Sequence, residues 1–130
     1  MGDRVLFQVL SKAQGAVGPV VYGHWSGYRA PEIVRGLASR MENRPGDVDY
    51  ATARLVQEVI ALGDVDGCQG VGVWNAPTVG WPGSPQVLTA DDTHGDAGVV
   101  LIDCSDGFRC ECLGGYLRTG PDGFPSRGQS

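Results

Sequence analysis

The apolar positions of this chain follow two different periods, and the switches between them mark out the elements. Val5-Leu6-Phe7-Gln8-Val9-Leu10 is a compact apolar run that suits a first strand. Gly15 and Gly18 mark a turn. Pro19-Val20-Val21-Tyr22 then suits a second strand, with Pro19 acceptable only as its opening residue. Beyond it the period lengthens. Pro31 fits a first helical turn, and Ile33, Leu37 and Met41 recur every four residues, predicting an amphipathic helix that ends before Pro45-Gly46. Asp47 is placed to cap a second helix, in which Val48, Ala51, Leu55, Val59 and Leu62 repeat at three- and four-residue intervals. Gly63 is placed to end it.

The second half of the chain returns to strand-like runs. Gly70 to Trp74 reads as a strand whose two glycines allow close backbone approach. Residues 76–97, rich in Pro, Gly, Asp and Thr, hold one short strand candidate at Gln86–Thr89. A connection of that length reads as a lid, a binding loop or an arm to a neighbouring subunit. Val99–Ser105 and Phe108–Leu113 flank Asp106-Gly107, the preferred two-residue hairpin turn. That turn predicts a register with Ser105 facing Phe108, Cys104 facing Arg109 and Leu101 facing Cys112. Alternation then puts Cys110 and Cys112 on one face with Leu101, and Cys104 on the other with Ile102. The expected fold class is α+β: a small antiparallel sheet of five or six strands with two consecutive helices packed beside it. One domain is expected over residues 1–117, followed by a mobile tail over 118–130 that has no periodicity.

Composition narrows the class further. With 130 residues, 42% hydrophobic and 19% charged, the chain is neither a disordered segment nor a coiled coil. Its 21 glycines and 8 prolines predict a loop-rich domain. A single domain of this size buries only about two-thirds of its unfolded surface, so a homo-oligomer is expected. The net charge of −5 argues against binding duplex nucleic acid, which calls for a basic footprint, yet leaves room for a small anion at a local arginine. The basic residues are all arginine except Lys12, which reflects either coding bias or planar recognition of phosphate and carboxylate. The start of the chain does not read as a signal peptide, and no apolar run is long enough for a membrane span. A cytoplasmic chain with reduced cysteines is the expectation.

Reactive chemistry is thinly represented. Cys104, Cys110 and Cys112 lack zinc-pair spacing, and the predicted register separates them. His24, His94 and Asp96 would compose a two-His-one-carboxylate set, but no spacing supports it. No nucleophile elbow, cysteine-protease context or lysine-bearing phosphate loop is present, and spacing among the carboxylates singles out no acid/base pair. No metal or other cofactor and no catalytic residue is expected. Binding groups are better represented. The loop Gly23 to Arg29 gathers His24, Trp25 and Tyr28 beside Arg29, just ahead of a helix start whose N–H groups favour an anion. The plainer reading makes Trp25 and Tyr28 core rings beneath a long loop. Trp74 and Asn75 close a strand, where a ring and an amide can meet a nucleotide base. Arg54 has the choice of solvent, a Glu58 pair or a ligand, and Arg109 has the choice of Glu111, an interface or a ligand.

The string Tyr22-Gly-His-Trp-Ser-Gly-Tyr28 resembles a His-Trp-x-Gly-Tyr motif of short phage-encoded proteins. Together with chain length, the paired helices and the late glycine-rich loop, it makes the chain similar in outline to the phage anti-Thoeris sponge family. Members sequester cyclic ADP-ribose-type immune signals without cleaving them. The resemblance covers about seven residues, with Ser26 in the place of an acidic residue and Arg29 where a proline often follows. It implies α+β subunits in dimers or larger rings, with pockets of arginine, aromatic and Asn side chains at subunit contacts. The expectation is therefore a non-enzymatic anti-defence binder of a small anionic, nucleotide-like ligand. Its residues are His24, Trp25, Tyr28, Arg29, Arg54, Trp74, Asn75 and Arg109. A hydrolase or lyase acting on such a signal, and a phage structural or interaction protein, are the alternatives.

Overall fold

The computed structural model describes residues 3–63, 70–74, 96–113 and 115–119, with Gly63, Trp74, Leu113, Arg118 and Thr119 described by backbone alone. Strands β1 (Val5–Ser11) and β2 (Ala16–Gly23) come first. A 3-10 turn (Gly27–Arg29) leads into helix α1 (Ala30–Arg40). Helix α2 (Val48–Glu58) continues into a π turn (Val59–Gly63). Strands β3 (Val71–Trp74), β4 (Gly98–Asp103) and β5 (Arg109–Leu113) precede a final 3-10 turn (Tyr116–Thr119). One five-stranded sheet runs in the order β3-β2-β1-β4-β5. The fold is α+β, as the sequence predicts, but the sheet is mixed rather than antiparallel. The central pair β1–β4 runs parallel, from Val5 opposite Gly98 to Leu10 opposite Asp103. Parallel neighbours need a long crossover, and the two helices lie in the chain between β1 and β4.

Burial follows from this order. Every residue of β1 is buried, because the strand has a neighbour on each side and apolar groups on both faces. Val5, Phe7 and Val9 join Val21, Val100 and Ile102 under the apolar stripes of the helices, Ile33, Leu37, Leu55 and Val59. Removing one of those aliphatic side chains from water contributes roughly 1.5–3 kcal/mol. On the opposite face Leu6, Val20, Val99 and Leu101 pack with Tyr22. Asp47 caps α2 as expected, its Oδ1 accepting from the Tyr50 N–H at 3.1 Å. Glu58 pairs with Arg40 at 2.6 Å across the two helices, not with Arg54. Gly36 leaves space for this pair: a Cβ there would lie 2.8 Å from the Glu58 carboxylate.

Pro19 lies inside β2 rather than at its start. The β1–β2 register skips between Gln8 opposite Val20 and Leu10 opposite Val17, so two β2 residues, Gly18 and Pro19, face Val9 alone. This bulge takes a residue out of the ladder, and a proline is tolerated where no N–H is needed. The Gly18 carbonyl accepts from Gln8 Nε2 at 2.9 Å instead.

The hairpin register is one residue away from the expectation. Asp103 faces Arg109, Ile102 faces Cys110 and Val100 faces Cys112. The cause is the Cys104 backbone, which is engaged elsewhere: its N–H donates to the Leu10 carbonyl at 2.9 Å, and its carbonyl accepts from the Gly46 N–H at 2.7 Å. The turn closes over Ser105–Phe108, with the Phe108 N–H on the Ser105 carbonyl at 2.9 Å. Gly107 and Phe108 both take positive φ, at 107° and 31°. A one-residue slip exchanges the faces of a strand. Cys110 and Cys112 therefore turn toward the helix-covered core that also holds Cys104. Burial pushes the Cys104 and Cys112 thiols up to about 11, with Asp103 and Glu111 adding to the effect respectively, and burial pushes Cys110 higher still.

At pH 8, far below those values, the three groups stay protonated, and the thiolate is the reactive form. Iodoacetamide should label Cys104, Cys110 and Cys112 at least tenfold more slowly in the native protein than in denaturant, as read by peptide mass spectrometry. Rapid native labelling of Cys110 or Cys112 would contradict the register.

Candidate functional site

Antiparallel pairing of β1 with β2 brings the end of one beside the start of the other, with Gly23 opposite Val5. The loop leaving β2 therefore runs alongside Asp3, which enters β1. Three bonds fasten the two segments, and a fourth ties Asp3 to Tyr116. The Asp3 N–H donates to the His24 carbonyl at 2.7 Å, and the Gly27 N–H donates to the Asp3 carbonyl at 2.9 Å. Asp3 Oδ2 accepts from the Tyr28 N–H at 2.7 Å, and Oδ1 accepts from the Tyr116 hydroxyl at 2.5 Å. On the far side of the loop the His24 N–H donates to the Gly70 carbonyl at 2.6 Å. The loop is thus held from both sides, by the start of β1 and by the approach to β3.

Glycine is required at two of these contacts. A Cβ at Gly27 would run into the Asp3 carboxylate and lie 2.6 Å from both the Ala97 Cβ and the Tyr116 hydroxyl. A Cβ at Gly70 would collide with the His24 Cβ.

Three of the four loop residues singled out from the sequence carry rings, and two of those rings join a row. Tyr22 Oη and His24 Nδ1 are 2.6 Å apart. The Tyr22 and His24 rings meet edge to face at 6.0 Å, and His24 and Trp25 meet at 4.9 Å and 76°. His24 and Trp25 are both half-buried, which for Trp25 is compatible with the plainer reading of a core ring. Tyr28 departs from that reading, being 55% exposed. The Arg29 guanidinium stands 5.8 Å from the Tyr28 ring centroid, and its Nη2 meets Glu32 Oε2 at 3.0 Å. Arg29 Nε is buried and has no acceptor among the described residues. The Tyr28 side chain, and after it Glu32, hold the guanidinium above its ordinary value, so it stays charged at any working pH.

The remaining candidates lie elsewhere. Arg54 bonds Gln57 Oε1 at 2.9 Å and stacks 5.0 Å from the Tyr50 ring, which Arg44 also covers at 4.4 Å. Arg109 sits near the opposite end of the sheet, level with Leu10 and Asp103, roughly 16 Å of strand away from the row that begins at Val5. There it lines a cavity of about 310 Å³ with Lys12, Asp103, Glu111, Leu10 and Leu101. It makes no ion pair with Glu111 among the described residues. Trp74 ends β3 opposite Val20, on the edge of the sheet farthest from β5. Asn75, His94, Cys68, the 76–95 stretch of the long connection with the strand expected at Gln86–Thr89, and the tail from 120 onward lie outside the described residues.

Asp3, Glu32 and Tyr116 are site residues that sequence reasoning missed. Glu32 could have been found from its i,i+3 spacing to Arg29. Asp3 and Tyr116 could not, because they meet across 113 positions of sequence. Burial, and then Asp3, hold the Tyr116 phenol well above its ordinary value, so it remains a donor to that carboxylate. Of the histidine–carboxylate set, the Asp96 carboxylate pairs with Arg4 at 3.0 Å and His24 Nδ1 faces Tyr22. Among the described residues no group of three His, Cys, Asp or Glu side chains could hold a metal ion. Nor is any described helix long and apolar enough to cross a membrane. No family model, no curated protein and no solved structure matches the chain.

Overpacking in a tight contact destabilises by about 1–3 kcal/mol. Gly27→Ala should lose stability in that range in urea unfolding, because its methyl group displaces Asp3 from the loop. An unchanged midpoint would mean the loop is not fastened there.

Proposed function

We propose that the protein is a non-enzymatic binder of a small anionic, nucleotide-like ligand of the cyclic ADP-ribose type, and that it withholds such a signal from a host antiphage defence. The observation that carries this reading is Arg29. Its Nη2 is on Glu32, its Nε–H is buried without an acceptor among the described residues, and an exposed phenol ring stands beside it. A buried donor left unpaired is unfavourable by roughly 1–3 kcal/mol, a deficit that a phosphate oxygen would remove. The Tyr28 ring beside it offers a face for a base.

Magnitudes indicate how much of a site one loop can supply. Two charge-assisted bonds from Arg29 contribute roughly 3–6 kcal/mol and one stack roughly 1–3 kcal/mol. Their sum approaches micromolar binding, about −8 kcal/mol, and falls short of the −12 kcal/mol of nanomolar capture. Arg54 and Arg109 lie elsewhere on the same protomer, so they would complete the site only from a second copy. A homo-oligomer with the site at its subunit contact is part of the proposal for this reason, and the family resemblance supports it. Capture rather than turnover is favoured because the loop's histidine, His24, has Nδ1 facing Tyr22 and no carboxylate behind it among the described bonds.

Incubation with cyclic ADP-ribose followed by heat denaturation should return the ligand intact, as read by chromatography. A new product would make the protein a hydrolase or lyase. Arg29→Ala should weaken binding at least tenfold in calorimetry while leaving Tm within a few degrees. Loss of stability with unchanged affinity would make Arg29 structural.

A further inference from the structure

We propose a second binding site, for a small zwitterion of the amino-acid type, in the hollow that Arg109 lines at the far end of the sheet. It is independent of the reading of the Arg29 loop, which Arg54 alone would then complete from a second copy. Strand alternation builds the hollow. Leu101 packs on the sheet face away from the helices, and alternation puts Asp103 on that face too. Arg109 stands across from Asp103 and Glu111 across from Leu101, while Leu10 is level with Asp103 on the other side. Lys12 follows directly after β1. These six residues line one cavity of about 310 Å³. Leu10 and Leu101 are almost wholly buried and form its floor, whereas Lys12, Arg109 and Glu111 are exposed and form its rim.

Two cations and two acids therefore share one small volume, yet they do not neutralise one another. Asp103 spends Oδ1 on two backbone N–H groups, that of Lys12 at 3.3 Å and that of Ser105 at 3.1 Å. Arg109 faces it across the strands, where opposite charges ordinarily attract, and forms no ion pair with it. The Lys12 ammonium, the Arg109 guanidinium and the Glu111 carboxylate make no hydrogen bond or ion pair among the described residues. A ligand of one sign would meet two repelling groups here. A ligand bearing both signs finds a partner for each: its carboxylate takes the planar fork of Arg109, with Lys12 beside it, and its ammonium takes Glu111. Small-molecule sites begin at roughly 300 Å³, so the cavity suits a free amino acid better than a nucleotide. Its leucine floor suits an aliphatic side chain.

The test titrates the full chain with L-leucine, and with isocaproate and isoamylamine, which keep the carbon skeleton but carry only one of the two charges. The NMR methyl signals of Leu10 and Leu101 should shift with leucine, which should bind at least tenfold more tightly than either analogue. Arg109→Gln should weaken leucine and isocaproate alike, at least tenfold. Glu111→Gln should abolish the preference for leucine over isocaproate without weakening isocaproate. Arg29→Ala should bind leucine as the wild type does. Should either rim variant fail to fold, the three compounds on the wild-type protein still decide. Isocaproate binding as tightly as leucine overturns the zwitterion assignment, and methyl signals that stay in place at millimolar leucine overturn the site. Neither result bears on the Arg29 loop, which is read with cyclic ADP-ribose.

Discussion

Burial of β1 along its whole length is the constraint from which the rest of the structure follows. A strand with no exposed residue needs partners on both edges and cover on both faces. Antiparallel β2 and parallel β4 supply the edges, while α1 and α2 cover one face. Fixing β1 fixes both of its ends. At one end Leu10 captures the Cys104 backbone and sets the register of the β4–β5 hairpin. At the other, Asp3 follows the strand direction outward and meets the loop that carries the rings and Arg29. The candidate loop is thus an extension of the fully buried strand, although its residues lie outside the sheet.

That origin explains how the loop combines order with exposure. Its backbone is tied at His24, Gly27 and Tyr28, so the side chains need little anchoring of their own. Tyr28 can then stay mostly in water, and Arg29 can leave one buried N–H uncommitted. A site fastened through its backbone loses less entropy when a ligand orders its side chains, which is the physical sense of preorganisation. Overpacking is the corresponding vulnerability: Gly23, Gly27 and Gly70 all stand where a Cβ would enter a neighbour.

Electrostatics set the character of any ligand. The protein carries a net charge of −5, and acids stand near the loop itself: Asp3, Glu32 and Asp96. Asp96 is neutralised by Arg4, and Asp3 is occupied by two donors, which leaves Glu32 as the direct competitor for Arg29. Glu32 is half exposed, so its ion pair is weak and can open for a phosphate at little cost. An extended polyanion such as duplex nucleic acid meets overall repulsion, whereas a compact anion meets one arginine and a helix start.

What the sequence by itself determined is the local part. Helix periods of three and four residues placed Ile33, Leu37, Leu55 and Val59 in the core, and Asp47 at the head of α2, because these signals depend only on near neighbours. The ring-bearing loop was equally legible, since His24 to Arg29 are consecutive. Tertiary structure alone decided the parallel β1–β4 pair, the one-residue shift of the hairpin and the partition of the arginines. The Asp106-Gly107 turn favoured one register, but the bond from the Cys104 N–H to the Leu10 carbonyl imposed another, turning Cys110 and Cys112 inward. Arg29 and Arg109 bear the same group in the same chain, yet sheet topology places them at opposite ends. Asp3 meets Tyr116 only because β1 and the turn after β5 converge at one end of the sheet. Such meetings arise from chain crossings, and no pattern of neighbouring residues records them.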